Sequence, residues 1–339
     1  MNRALHRYCL FLSLATFCLL IAGALVTSND AGLATLDWPL SNGQVFPKME
    51  ANLFWEHGHR LIATTIGLLT ILLVLYLYRF SLSRFLNRLI GRPTQSFVNP
   101  IQPPLWIRRL GLVALCAVIA QGLLGGLTVK LWLPMPVSAA HATFAQLFFC
   151  TIVSLAVFTS AGWNKIRESL EEKHPLQLRY LALAAVCTIF LQLILGATLR
   201  HSATWDQRLP VQLVLLHIGG ALVVTLTVGS AALVTLSRYK GVSDLSRPAG
   251  LVLALLIVQL SLGVASYFTR MASVDDPQPL NPMIGITVAH VACGALVFAV
   301  TIVLTLRSFK MLNSNREEVK LERNVGTGMC LMIKANADD

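Results

Sequence analysis

Eight apolar runs, each about 20 residues long, constrain this chain more than any other feature. A hydrocarbon layer of roughly 30 Å is crossed by about 20 residues of helix. Runs near 8–27, 60–79, 108–129, 139–160, 179–199, 211–237, 249–268 and 284–307 each have that length. Hydrophobic residues make up 55% of the 339 and charged ones only 13%, too apolar a mixture for a soluble core of this size. Backbone polar groups in hydrocarbon must bond internally, so the runs are expected to be helices. The expected fold class is therefore an all-α integral membrane protein with eight transmembrane helices. The first run follows Asn2 and Arg3 and ends on Ala22, Gly23 and Ala24, as a secretory signal would. It exceeds the usual apolar length of such a signal and is read as a retained helix.

The net charge of +11 does not point to nucleic acid, because the basic residues collect in alternate connections. Arg79, Arg84, Arg88, Arg92, Arg108 and Arg109 lie in one such connection, and Lys165, Arg167, Lys173 and Arg179 in the next. Arg238, Lys240 and Arg247 form a third cluster, and Arg307, Lys310 and Arg316 a fourth. The other connections hold Lys48, Lys130, Arg200, Arg208 and Arg270. The positive-inside rule then puts both termini and the basic connections in the cytoplasm. Glu56, His57, His59 and Arg60 face the outer side. Of the seven cysteines, Cys9, Cys18, Cys116, Cys150, Cys187 and Cys293 lie in or beside the spans and Cys330 in the tail, so no exported disulfide is indicated. The polar tail from about Asn313 is expected on the cytoplasmic face.

The spans repeat. Gln121 and Gly125, Gln192 and Gly196, and Gln259 and Gly263 recur near the outer ends of the third, fifth and seventh spans. Residues four apart share a helical face, where glycine admits a close neighbour and the amide can bond across it. The first span has Gly23 but Leu19 in place of the glutamine. Small-residue packing accounts for any single copy, whereas three copies in alternate spans point to duplication. The even-numbered spans carry a histidine each near the outer end: His59, His141, His217 and His290. A four-helix unit used twice follows, with halves at 1–165 and 166–312 and a tail at 313–339.

A lone intramembrane histidine often serves only as an interhelical hydrogen bonder. Four at matching places suggest paired ligands, since two imidazoles from two helices of a bundle can hold haem iron from both faces. Ala63, Ala145, Ala221 and Gly294 stand four residues after the histidines, leaving clearance for a flat macrocycle. Small residues are also common at membrane helix contacts generally. Zinc fits less well, because a closed site wants thiolates or carboxylates converging on one point. The economical expectation is one bis-histidine haem in each half.

Glu56 breaks the symmetry. It lies three residues before His59 and so on the same side of a helix, whereas Val214 and Thr287 hold the matching places before His217 and His290. Chemistry at a haem edge has a use for such an acid, which accepts a proton or stabilises developing positive charge. A carboxylate near a helix N-terminus is also favourable as a cap by about 0.3–1 kcal/mol, and both readings stand. His57 points roughly 200° away from His59. It is expected against lipid headgroups or a neighbouring loop, with a ligand role as the alternative. Arg60 suits a carboxylate partner such as a haem propionate, or an interfacial anchor.

With these residues in view the chain resembles the haem A synthase family, bacterial and mitochondrial, from about Leu10 to Leu306. The resemblance rests on Gly23 to Gly43 with Asp37-Trp38-Pro39, on Glu56, His59 and Arg60, and on His141, His217 and His290 heading their helices. It implies two pseudo-symmetric four-helix bundles. In it His59 and His141 serve the substrate haem O, and His217 and His290 ligate a resident haem b. Glu56 matches the essential acid. The implied reaction oxidises the C8 methyl of haem O to a formyl group by successive hydroxylations, giving haem A for cytochrome oxidase assembly. A haem O synthase supplying substrate and a membrane electron donor are the implied partners, with self-association left open. Many bacterial members carry two cysteines where this chain has Thr35 and Ser41, so the resemblance is to the subgroup without them. The short N-terminus leaves no room for a mitochondrial presequence, and a bacterial plasma membrane is expected. Two rivals remain: a dihaem cytochrome b that only relays electrons, and a carrier or haem-handling chaperone built from duplicated units.

Overall fold

The computed structural model describes residues 3–90, 102–165, 175–202, 209–272 and 281–312. They form nine helices: α1 (Arg3–Ser28), α2 (Ala51–Leu89), α3 (Leu105–Lys130), α4 (Met135–Thr159), α5 (Ala161–Lys165), α6 (Pro175–His201), α7 (Val211–Arg238), α8 (Ser243–Ala272) and α9 (Asn281–Met311). All but the short α5 are long and apolar enough to cross a membrane. Among the described residues no strand is present beyond an isolated bridge between Ser41 and Gln44. The chain is thus a multi-pass membrane protein.

The helices outrun the apolar segments of the sequence. Helix α2 starts at Ala51 rather than near 60, and α8 at Ser243 rather than near 249. Polar residues suit the ends of a spanning helix, where the hydrogen-bonded backbone continues past the hydrocarbon. This extension puts Glu56, His57, His59 and Arg60 inside α2. At the start of α8, Pro248 cannot donate to the carbonyl of Asp244 four residues earlier. Arg307 of α9 fills that role: its Nη1 donates to the Asp244 carbonyl at 2.8 Å and lies 3.3 Å from the carboxylate.

Hydroxyls within the spans bond to their own backbone. Thr16, Thr70, Thr235 and Thr301, all buried, donate to the carbonyls of Leu12, Ile66, Ala231 and Val297 at 2.7–2.8 Å. Each is thereby satisfied without water, as hydrocarbon requires.

Packing follows two closed circuits. Helix α1 contacts α2 and α4, and α3 contacts the same two; α6 contacts α7 and α9, and α8 contacts those. The circuits meet where α4 packs on α6 and α9 and where α1 packs on α9. Buried side chains divide accordingly. One cluster joins Leu12, Ile66, Leu73, Ile107 and Ile152; the other joins Leu178, Val228, Leu245, Phe298 and Leu304. Leucine, isoleucine and valine cover the outward faces, as at Leu215, Ile218, Leu222 and Leu226 of α7, which suits contact with lipid. The expected boundary between halves falls at the edge of the undescribed residues 166–174, and the tail 313–339 with Cys330 lies outside the described residues.

The α1–α2 connection is tied down by a tight turn. Ser41 and Gln44 exchange backbone hydrogen bonds at 3.1 and 3.0 Å, with Asn42 at φ +51° and Gly43 at φ +71° between them. Asn-Gly tolerates two successive positive φ angles, and the Gly43 amide donates to the Asp37 carboxylate at 2.9 Å.

Candidate functional site

The repeated glycines and the repeated histidines face each other. A Cβ added at Gly23 would lie 3.1 Å from Cε1 of His59, and one at Gly125 3.1 Å from Cε1 of His141. At Gly196 and Gly263 the same atom would lie 3.0 Å from Cε1 of His217 and His290. Each imidazole therefore rests on the one residue type of the preceding span that leaves room for it. The two sequence repeats are halves of one contact made four times.

The glutamines complete that contact in three of the four cases. Gln121 Nε2 donates to the carbonyl of His141 at 2.8 Å. Gln192 Nε2 donates to the carbonyl of His217 at 2.8 Å and lies 3.1 Å from its Nδ1. Gln259 Nε2 lies 3.4 Å from Nε2 of His290. Glycines make room for these amides as well: a Cβ at Gly294 would come within 3.2 Å of Gln259 Nε2. The small residue after His290, expected to clear a macrocycle, thus clears a glutamine.

His217 and His290 stand with ring centres 6.5 Å apart and ring planes at 71°. At that spacing His217 and His290 would hold a haem between them, which would supply one-electron chemistry there. His59 and His141 are within electrostatic reach of each other. Nδ1 of His59, His141 and His290 is buried with no hydrogen-bond partner, as befits rings placed for another purpose than structural bonding. Among the described residues no three His, Cys, Asp or Glu side chains converge.

Glu56 is 4% exposed and held at both oxygens. Oε1 pairs with Arg60, one turn on, and Oε2 accepts the Thr35 backbone N–H at 2.9 Å. Arg60 also donates to the carbonyls of Asp37 at 2.8 Å and Leu40 at 2.7 Å, and to Ser41 Oγ at 3.1 Å. Its partners are Glu56 and the connecting loop. His57 turns to the same loop, its Nδ1 2.8 Å from Ser41 Oγ and its Nε2 2.9 Å from the carbonyl of Val45. Of the two surroundings expected for His57, the neighbouring loop is the one it has. Thr35 and Ser41, both buried, lie within this network.

Further ties fasten the loop to the start of the α3–α4 connection. Lys130 Nζ donates to the Leu36 carbonyl at 3.1 Å, and Leu133 packs on Gly32. A Cβ at Gly126 would lie 2.7 Å from the Trp38 indole, so only glycine admits that ring. Trp132 and Leu133 both take positive φ angles, +63° and +56°, which side chains other than glycine rarely adopt.

A second charged group has no motif in the sequence. Arg200, at the end of α6, donates to Ser28 Oγ at 2.7 Å and to the Ala24 carbonyl at 3.3 Å. Asp30, Arg270 and His290 lie within its electrostatic reach. Partial burial raises the Asp30 carboxyl above its ordinary value, against the lowering effect of Arg270 and Arg200. These residues come from α1, α6, α8 and their ends and from α9, and in the sequence Arg200 and Arg270 stand in the connections that carry few basic residues.

Comparison with known proteins places similar sequences in one group. Residues 48–205 match the COX15-CtaA family, described as a cytochrome oxidase assembly protein. A haem A synthase of Shouchella clausii is 26% identical over 294 residues, covering 81% of this chain and 90% of its own. The chain is similar over most of its length to bacterial haem A synthases. That of Bacillus licheniformis is 23% identical over 291 residues, 80% of this chain and 88% of its own. That of Oceanobacillus iheyensis is 30% identical over a shorter 141 residues, 41% of this chain and 39% of its own. The family match takes in Glu56, His59, Arg60 and His141. The eight apolar helices and these bacterial relatives make this a multi-pass bacterial membrane protein.

Proposed function

We propose that the chain is a haem A synthase, oxidising the C8 methyl group of haem O to a formyl group by successive hydroxylations. The reading takes the two helix circuits as pseudo-symmetric bundles, 1–165 and 166–312, with both termini cytoplasmic. His59 and His141 hold the substrate haem O in the first. His217 and His290 would hold haem b in the second, where it supplies one-electron transfer when bound. Arg200, beside His290, suits a carboxylate of that group.

The observation that carries the proposal is Glu56. Its carboxylate is one helical turn from His59, while Val214 and Thr287 stand at the matching places in the other half. Oε1 has Arg60, Oε2 the Thr35 amide, and the Ala34 amide also donates to the carboxylate, which still leaves acceptor capacity on it. A carboxylate fixed in this way accepts a proton lost from the substrate methyl or stabilises positive charge developing there. The reading gives no part to a thiol of the first outer loop, where Thr35 and Ser41 stand. Haem O from a haem O synthase, a membrane electron donor and use of the product in cytochrome oxidase assembly complete the role.

The runner-up is a non-catalytic dihaem cytochrome b. The fourfold glycine–histidine contact favours it, since four seated imidazoles by themselves call for two haems and nothing more. The two readings separate when the chain is expressed in cells that make haem O but lack their own haem A synthase. Extracted pigments identified by mass should include haem A. Haem b with unaltered haem O alone would support the cytochrome and defeat the enzyme.

A further inference from the structure

The α1–α2 connection turns polar atoms inward and several apolar side chains outward. Its carbonyls and the Ser41 hydroxyl are taken up by Arg60, His57 and Lys130. Phe46 is nevertheless 79% exposed and Val45 58%, and Leu36 and Leu40 are exposed as well. Trp132, 66% exposed, and Leu131 follow in the α3–α4 connection, which the loop meets through Lys130 and through Gly32 on Leu133. Exposed apolar side chains gathered in this way mark an interaction site.

Two rulers fix the depth of this patch. The loop bonds α2 at Glu56, His57 and Arg60, and the apolar run of that helix begins near residue 60. At 1.5 Å per residue, the Val45 carbonyl on His57 lies only about 4.5 Å along the axis from that start. On α3 the apolar run ends near residue 129, and the next residue, Lys130, bonds the Leu36 carbonyl. The headgroup layer on each side of the hydrocarbon is about 5–7 Å deep, so the loop lies within that layer. The exposed face of α3 leads straight to it. Ile119, Leu123, Leu127 and Leu131 recur every four residues, all exposed, and the Leu131 N–H still bonds the Leu127 carbonyl at 3.0 Å. The lipid-facing surface of α3 thus continues into the patch without a polar break.

We propose that Val45, Phe46, Leu131 and Trp132 seat the α1–α2 connection in the lipid headgroup layer, as a membrane-bound cap on the histidine end of the first helix circuit. Aromatic rings suit that layer, where an apolar body meets the acyl chains. The exposed Lys48 has a stem long enough to keep its charge in water from there. The same loop supplies the Thr35 N–H to Glu56 and the carbonyls that bind Arg60, so its seating in lipid helps to hold the Glu56 carboxylate. The seating is the same whichever haem chemistry the chain performs.

The test uses the full chain in phosphatidylcholine nanodiscs, with tryptophan emission as the readout. Emission lost in Trp132→Phe and emission gained in Phe46→Trp report the two positions separately. Each component should lose most of its intensity in lipid brominated high on the acyl chains and little to aqueous iodide. Strong iodide quenching with no effect of brominated lipid would overturn the proposal. Shielding from both quenchers would overturn it too, because a second copy or another protein would then cover the patch. Phe46→Asp, which places a charge against lipid, should raise amide exchange over residues 35–44, and unchanged exchange would contradict a lipid contribution to holding the loop.

Discussion

His217 and His290 face each other across 6.5 Å, ring centre to ring centre, from helices α7 and α9. Neither ring reaches that position alone. Gly196 under one and Gly263 under the other leave 3.0 Å between a hypothetical Cβ and the imidazole edge, so the two contacts set the spacing. The account assigns this pair to haem b. His217→Ala and His290→Ala should each remove the low-spin haem absorption from purified protein. His59→Ala and His141→Ala should leave it in place and lower the amount of bound haem O and haem A. Equal loss of haem b in all four variants contradicts the division.

The glycines make a finer version of the same test. Alanine at Gly196 or Gly263 forces a ring shift, with a cost of about 1–3 kcal/mol for overpacking and loss of haem b. Alanine at Gly23 or Gly125 should spare haem b and impair turnover. Gly122 and Gly229 have nothing within 4 Å of a Cβ, so alanine there should be neutral or slightly stabilising. Haem content and thermal midpoint in detergent read all six variants.

Arg60 binds Glu56 and three acceptors of the loop at once. Arg60→Leu leaves a buried carboxylate without its counter-ion and should cost about 3 kcal/mol. Amide hydrogen exchange over residues 35–44 should rise in that variant, and haem A formation should stop. Arg60→Lys keeps the charge but cannot reach four acceptors from one planar group, so exchange should rise partway.

Much of this was legible beforehand. Eight apolar runs gave eight helices, and the period of the glutamines, glycines and histidines exposed a repeated unit. Three things were not. Sequence period shows which residues share a face but not which face meets which, so the contact of Gly196 with His217 had to await the packing of α6 on α7. Arg60 read equally well as an anchor or a partner of a haem carboxylate, because its actual acceptors, the carbonyls of Asp37 and Leu40, belong to a loop whose path no side-chain pattern encodes. The start of α2 at Ala51 was hidden for a simpler reason: Glu56 and His57 interrupt the apolar run while the helix passes through them.

Asp30 lies outside the spans, and partial burial raises its carboxyl above the ordinary value. A carboxyl raised on folding contributes stability that is full below its unfolded value and is lost as pH rises through the folded one. Melting temperature should therefore fall as pH climbs from below the ordinary carboxylate range to above it. Asp30→Asn should flatten that slope, and an unchanged slope would show that another group sets it.

Glu56→Gln tests the central claim most directly, because it removes the acid at one pocket and keeps its shape. Pigments extracted from cells supplying haem O and identified by mass are the measurement. The account predicts a retained haem b spectrum with haem O or a partly oxidised intermediate accumulating in place of haem A. Haem A at the parent level would contradict it.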